Sequence, residues 1–103
     1  MKNSHTPLTE SMFLILASLI QPLHGYGIMQ EIEKMSHGRV RMGPGTLYGG
    51  LNTLLGKKLI KKLPSVSTGR KKMYRITDTG RTVLQKEYAR LKQLVTIYEN
   101  ATT

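Results

Sequence analysis

Residues 43–80 read GPGTLYGGLNTLLGKKLIKKLPSVSTGRKKMYRITDTG. Gly43-Pro44 opens a helix, because proline at the first helical position has a suitable fixed φ and lacks only an N–H that would find no partner there. Leu47, Leu51, Leu54 and Leu55 then fall on one narrow face. The opposite face carries Gly45, Thr46, Gly49, Asn52, Thr53 and Gly56, with Tyr48 at the edge of the apolar stripe. Each glycine costs a helix about 1 kcal/mol against alanine. Local helix preference therefore does not explain three of them on one face, whereas close approach to another surface does. Lys58 to Leu63 reads as a short strand, and Pro64 to Gly69 as a loop rich in Ser and Thr. From Lys72 to Thr77 the pattern alternates, Tyr74 and Ile76 pointing one way and Met73, Arg75 and Thr77 the other. A hairpin with a basic tip (Arg70, Lys71, Lys72) results. Thr77-Asp78-Thr79 supplies caps for a following helix, whose positive end also favours Asp78.

Upstream, residues 1–5 form a polar arm. Thr6-Pro7 or Thr9 starts a first helix that runs to about Ile20 and is apolar nearly all round, so it packs on more than one side. Pro22 and Gly25 mark a turn. A second helix spans about Tyr26 to Met35, with Tyr26, Met29, Ile32 and Met35 along one face. His37-Gly38 ends it, and Arg39 to Gly43 is a basic connector. Downstream, Leu84, Tyr88, Leu91, Val95 and Tyr98 step by heptad intervals along a last helix that reaches about Tyr98. Val83 and Leu94 add a second apolar edge, which reads as an oligomerisation helix.

The chain has 103 residues, enough for one domain. Lys plus Arg number 16 against 6 for Asp plus Glu, a net charge of +10. No acid lies between Lys34 and Thr77, and that stretch holds eleven of the basic residues. Solvated faces normally mix signs, so the exclusion of acids points to a surface for a polyanion. There is no cysteine, which removes disulfides and thiolate sites and fits a cytoplasmic location. The longest apolar run, Met12 to Ile20, is far short of the ~20 residues that cross a bilayer, so no membrane role is expected. His5, His24 and His37 lack ligand spacing, and His24 beside Gly25 reads as a turn residue. Neither a catalytic triad nor paired carboxylates stands out. The expectation is a protein that is not an enzyme, with no metal and no cofactor.

The order helix, helix, helix, strand, basic loop, strand, helix is a winged helix-turn-helix. It is mainly α with a small β-hairpin, plus a C-terminal dimerisation helix. Residues 1–78 make the DNA-binding part and 79–103 the dimerisation helix, in one compact unit. The recognition helix, 44–57, enters the major groove of double-stranded DNA, and the wing, 64–72, lies on the flanking backbone. The acid-free stretch coincides with both surfaces.

Five segments carry a resemblance: His24-Gly25-Tyr26-Gly27-Ile28, Gly43-Pro44-Gly45-Thr46-Leu47-Tyr48, Leu51-Asn52-Thr53-Leu54, Leu59-Ile60, and Lys72-Met73-Tyr74-Arg75-Ile76-Thr77-Asp78-Thr79-Gly80. In order and spacing the chain resembles the PadR-like transcriptional regulators, over about residues 8 to 98, and within them the compact members without a long C-terminal domain. The resemblance implies a homodimeric repressor on a palindromic operator, often relieved by a small aromatic or hydrophobic effector. It also implies a dimer built by the last helix with the first, here through Met12, Phe13, Leu16, Leu84, Tyr88, Leu91, Val95 and Tyr98. The family's usual glycine after the recognition helix is replaced by Lys58, and Gly56 lies two residues earlier, so a shifted helix end is expected.

Thr46, Tyr48, Asn52 and Thr53 are the expected contacts on the recognition helix, since Asn can bond an adenine edge through two hydrogen bonds and hydroxyls bond phosphates or bases. Tyr48 also reads as half core. Pro44 and Gly45 shape the helix start and leave backbone N–H groups for a phosphate. Arg39, Arg41, Gly69, Arg70, Lys71 and Lys72 complete the DNA-binding set, the cations positioning rather than specifying. Lys57, Lys61 and Lys62 read as solubilising. The competing reading is a winged-helix module that binds an acidic protein. An RNA-binding role is weaker, because there is no aromatic platform on paired strands.

Overall fold

The protein is seen in a computed structural model that describes residues 5–64 and 72–103. Helix α1 (Glu10–Ser18) is followed by strand β1 (Leu23–His24), α2 (Gly25–Met35), α3 (Pro44–Gly56), β2 (Ile60–Leu63), β3 (Met73–Ile76) and α4 (Asp78–Ala101). This is the expected order with one addition, β1, which makes the hairpin a three-stranded antiparallel sheet in the order β1-β3-β2. Leu23 pairs with Tyr74 on one side of β3, and Lys62 pairs with Tyr74 on the other.

Thr9, not Thr6, caps α1. Its hydroxyl accepts from the Met12 N–H at 3.1 Å, and Pro7 lies outside the helix. His24 caps α2, Nδ1 accepting from the Gly27 N–H at 3.3 Å. Thr77 caps α4, accepting from the Gly80 N–H at 3.0 Å. The buried face of α2 differs from the expected stripe. Gly25, Ile28 and Ile32 face inward, whereas Tyr26 and Met35 are exposed. Both stripes contain Ile32. A four-residue step back to Ile28 follows the helical turn better than two steps of three to Tyr26.

Leu47, Leu51 and Leu54 of α3 meet Ile15, Leu16 and Leu19, Ile28 and Ile32, and Leu59, Ile60, Tyr74, Ile76 and Val83 in one core. Leu16 is fully buried there. It has no surface for a second subunit, which corrects its expected place in the dimer interface. The inward edge of the nearly all-apolar α1 is occupied by its own domain.

The end of α3 is not shifted. The Leu59 N–H reaches the Leu54 carbonyl and the Lys58 N–H the Leu55 carbonyl, both at 3.0 Å, the double closure that requires a left-handed residue in between. Lys58 supplies it, at φ 61°, although a side chain there costs ~1 kcal/mol or more. Gly56 remains helical, because the register of the last turn is set by buried Leu54 and Leu59.

Glu87 is 1% exposed. Its carboxylate accepts the Leu8 N–H at 2.9 Å and two guanidinium hydrogen bonds from Arg90 at 2.8 and 2.7 Å. Arg90 holds the carboxyl below the ordinary carboxylate range; burial opposes this and the Leu8 bond assists it. Beyond Arg90, α4 is exposed all round, including Leu91, Leu94, Val95, Ile97 and Tyr98. The radius of gyration is accordingly 15.1 Å, against about 13 Å for a compact domain of this length.

Two predictions follow from these contacts. Lys58→Gly relieves the left-handed strain and should raise stability by up to about 1 kcal/mol, read as a higher urea midpoint. A carboxyl depressed in the folded state stabilises fully above its unfolded pKa of about 4.3, and loses that contribution as pH falls toward the depressed value. Glu87→Gln should therefore cost about 1–3 kcal/mol at neutral pH, and the gap to the wild type should narrow as pH falls below about 4 and close once the depressed pKa has been passed. Urea titrations across pH check this.

Candidate nucleic-acid interface

Helix α3 presents its polar face outward. Gly45, Thr46, Gly49, Asn52 and Thr53 are exposed, as are Gly43 and Pro44 at its start. A Cβ added at Gly43, Gly45, Gly49 or Gly56 would meet nothing within 4 Å. These glycines are therefore not required by packing within the described residues, and they leave the face low and open. Gly50 is different: a Cβ there would lie 2.8 Å from Ile15 Cδ1, so a side chain at this position would displace the end of Ile15 where α3 meets α1. The N-cap Gly43 makes no side-chain capping bond. The Thr53 hydroxyl donates to the Gly49 carbonyl at 3.1 Å.

The basic connector is less free than the sequence suggests. Arg39 is hydrogen-bonded to Glu10, and this bond holds the Glu10 carboxyl below its ordinary range. Arg41 stands 3.4 Å from Glu33. Acids outside the acid-free stretch fold back onto it, so these two arginines are not unopposed. Gly69, Arg70 and Lys71 lie outside the described residues. Lys72, at the root of the wing, is described and exposed.

Between α3, the start of α2 and the sheet lies a groove of about 640 Å³. Tyr48, Asn52 and Leu55 line it from α3, Lys62, Lys72 and Tyr74 from the hairpin. His24, Gly25 and Tyr26 close its third side. Tyr48 is 46% exposed and Tyr74 only 5%. The Tyr48 hydroxyl lies over Gly25, where a Cβ would come within 2.3 Å of it. Burial, and then the neighbouring Tyr48, raises the pKa of Tyr74. Tyr48 is thus neither core nor free surface; it is held by a bare backbone position. The sequence did not single out Lys62, Tyr26 or Tyr74 as groove residues. The usable signal for Lys62 is its place two residues beyond the buried Ile60, on the same face of the strand.

Among the described residues no group of three or more His, Asp or Glu is placed to hold a metal. No helix among them is long and apolar enough to cross a membrane. On the side of α1 and α4, Met12, Phe13 and Leu84 are half-buried, while Tyr88, Leu91, Val95 and Tyr98 are exposed.

The model of the transcriptional regulator PadR-like family matches residues 13–86. The chain belongs to the PadR-like family. Its relatives include a 37.1 kDa protein of a Streptomyces fradiae transposon, 39% identical over 79 residues that cover 76% of this chain and 22% of that one. The chain thus spans about a fifth of that relative's length. A transcriptional regulator of Mycobacterium tuberculosis is 36% identical over 73 residues, 70% of this chain and 65% of the relative. Among solved structures, a PadR family regulator from Eggerthella lenta is 26% identical with a TM-score of 0.73, covering 89% of this chain and 81% of that one. A regulator from Clostridium thermocellum shares the fold at 22% identity and a TM-score of 0.79, with 90% of each chain covered. The chain thus shares the winged-helix fold of these regulators.

The contact between Gly25 and Tyr48 yields a prediction. A methyl group in Gly25→Ala must push the phenol out of its seat, while the flexible ring end leaves the core intact. Duplex DNA binding should weaken by about tenfold, ~1.4 kcal/mol, with an unchanged melting temperature. Titration of a labelled duplex alongside thermal unfolding checks both.

Proposed function

We propose that this PadR-like regulator is a homodimeric repressor of the cytoplasm. It reads a palindromic operator with residues 44–57, places the wing, 64–72, on the flanking backbone, and blocks promoter DNA by occupying it. The observation that carries this reading is the open polar face of α3 beside a groove lined by Lys62 and Lys72 and, among the described residues, by no carboxylate. Asn52 is the base-reading residue, Thr46, Tyr48 and Thr53 flank it, and Arg70, Lys71 and Lys72 bind phosphates. Gly45 and Pro44 bring the start of the helix close to the backbone.

The dimer forms through the C-terminal half of α4, whose Leu91, Leu94, Val95, Ile97 and Tyr98 are exposed in one protomer, together with Met12, Phe13, Leu84 and Tyr88. A small aromatic or hydrophobic effector enters beside Phe13, Ile20, Leu84 and Tyr88, where an apolar hollow of about 440 Å³ opens. Its binding changes the spacing of the two reading helices and releases the operator.

A gel-shift titration against DNA upstream of the protein's own gene tests the proposal, with random duplex as competitor and salt varied. Binding should survive competitor, with log affinity falling steeply in log salt. A footprint should show two half-sites about one helical turn apart, ~10 bp between centres. Asn52→Ala should cost about 1–3 kcal/mol on that site and little on random duplex. Capture of an acidic protein with no duplex preference would favour the interaction-module reading instead.

A further inference from the structure

The charge pattern alone does not separate the cations of the acid-free stretch that meet a partner from those that only solubilise. The folded chain divides them. Arg39 and Arg41 already face Glu10 and Glu33. Lys62 and Lys72 line a groove that includes no acid among the described residues.

Lys62 is paired directly with Tyr74 across the β2–β3 ladder, so their side chains leave the same face of the sheet. Further along that face, the paired Ile60 and Ile76 are buried in the core. At the Lys62 end the face opens into the groove. Tyr74 sits at this change from core to groove: the residue is 5% exposed, it lines the groove, and its hydroxyl makes no hydrogen bond to any described residue. The hydroxyl opens into the groove rather than being sealed in the core, and it is a proton donor: burial of the ring, and then the neighbouring Tyr48, raises its pKa and keeps it protonated through the neutral range. The Tyr48 hydroxyl enters the same groove over the bare Gly25 position. The positive end of α2 begins at Gly25 and adds to the field. Two lysines and two phenol donors therefore line one space, with no acceptor carboxylate among its described lining residues.

We propose that this groove seats one phosphate of the DNA backbone, bound by Lys62 and Lys72 and hydrogen-bonded by the hydroxyls of Tyr48 and Tyr74. The assignment rests on the DNA-binding reading above and makes it specific. Lys62 becomes a phosphate ligand rather than a solubilising residue, and Tyr74 a phosphate donor rather than only a core residue. Such a contact fixes the wing root and α3 on the same strand of the duplex, and so sets the depth at which Asn52 meets the bases.

The test uses the full chain and a labelled duplex of mixed sequence, titrated at salt concentrations from about 50 to about 200 mM. The variants are Lys62→Gln, Tyr74→Phe, and Lys86→Gln on the exposed side of α4 as a control, each checked for an unchanged fold by circular dichroism. Lys62→Gln should lower the slope of log affinity against log salt by about 0.9, the loss of one phosphate contact. Tyr74→Phe should weaken binding severalfold with the slope kept, since it removes a neutral donor. Lys86→Gln should match the wild type. A steep wild-type slope that Lys62→Gln leaves unchanged would overturn the phosphate seat while leaving DNA binding in place. A wild type that does not bind duplex at low salt would overturn both. Orthophosphate supplies the remaining arm. If it raises the wild-type melting temperature but not that of Lys62→Gln, while the duplex slopes of the two are equal, the groove holds a free anion and the DNA assignment fails.

Discussion

The arrangement depends on one crowded junction where four segments are joined through backbone groups. The Ile76 N–H donates to the Leu19 carbonyl at the end of α1, and the Thr77 N–H donates to the Leu59 carbonyl just beyond α3, both at 3.0 Å. The Thr77 hydroxyl donates to the Lys58 carbonyl at 2.9 Å and also accepts the Gly80 N–H at the start of α4. A Cβ at Gly80 would lie 2.1 Å from the Leu59 carbonyl oxygen. Only glycine lets the first turn of α4 approach so closely. These contacts fix the hairpin, the end of α3 and the root of α4 relative to one another. The reading face, the wing and the long helix thus share one frame.

Much of this was legible in the sequence because it is local. Leu47, Leu51 and Leu54 define the buried side of α3 by spacing alone, and Tyr74 and Ile76 do the same for β3. The caps are short-range as well: Thr77 serves as read, whereas His24, read as a turn residue, is the N-cap of α2. The misreadings are long-range. Strand β1 is only Leu23–His24, too short to show a period, and exists because β3 offers it a free edge. Leu16 and its neighbours on α1 are all apolar, so nothing local separates the side facing the core from the side facing out. The pairing of Arg39 with Glu10 joins residues 29 positions apart, which no count of acids along the chain can show. Lys58 was misleading for another reason: the backbone closure at Leu54 and Leu59 outweighs the preference of its left-handed position for glycine.

The same contrast governs charge. A net +10 sets a long-range attraction for polyanions, but contacts depend on which cations keep their charge uncompensated at the surface. The connector arginines are partnered and tie α1 and α2 to the loop before α3. The hairpin lysines of the groove are available. Arg90 is likewise structural: with Glu87 it fastens the segment before α1 to the middle of α4. Cations of equal formal charge thus divide between holding the protein together and facing a partner, and the division follows where the six acids come to rest.

Only Thr77 lies between the wing strand β3 and helix α4. No slack separates them, so α4 acts as a rigid lever whose fulcrum is the sheet. At 1.5 Å per residue its 24 residues extend about 36 Å. A tilt of about 5° at the fulcrum therefore displaces the far end by about 3 Å, close to the rise of one base pair in B-DNA, ~3.4 Å. In the proposed dimer, angular stiffness at Thr77, rather than the affinity of any single contact, then sets how finely the separation of the two reading heads is held.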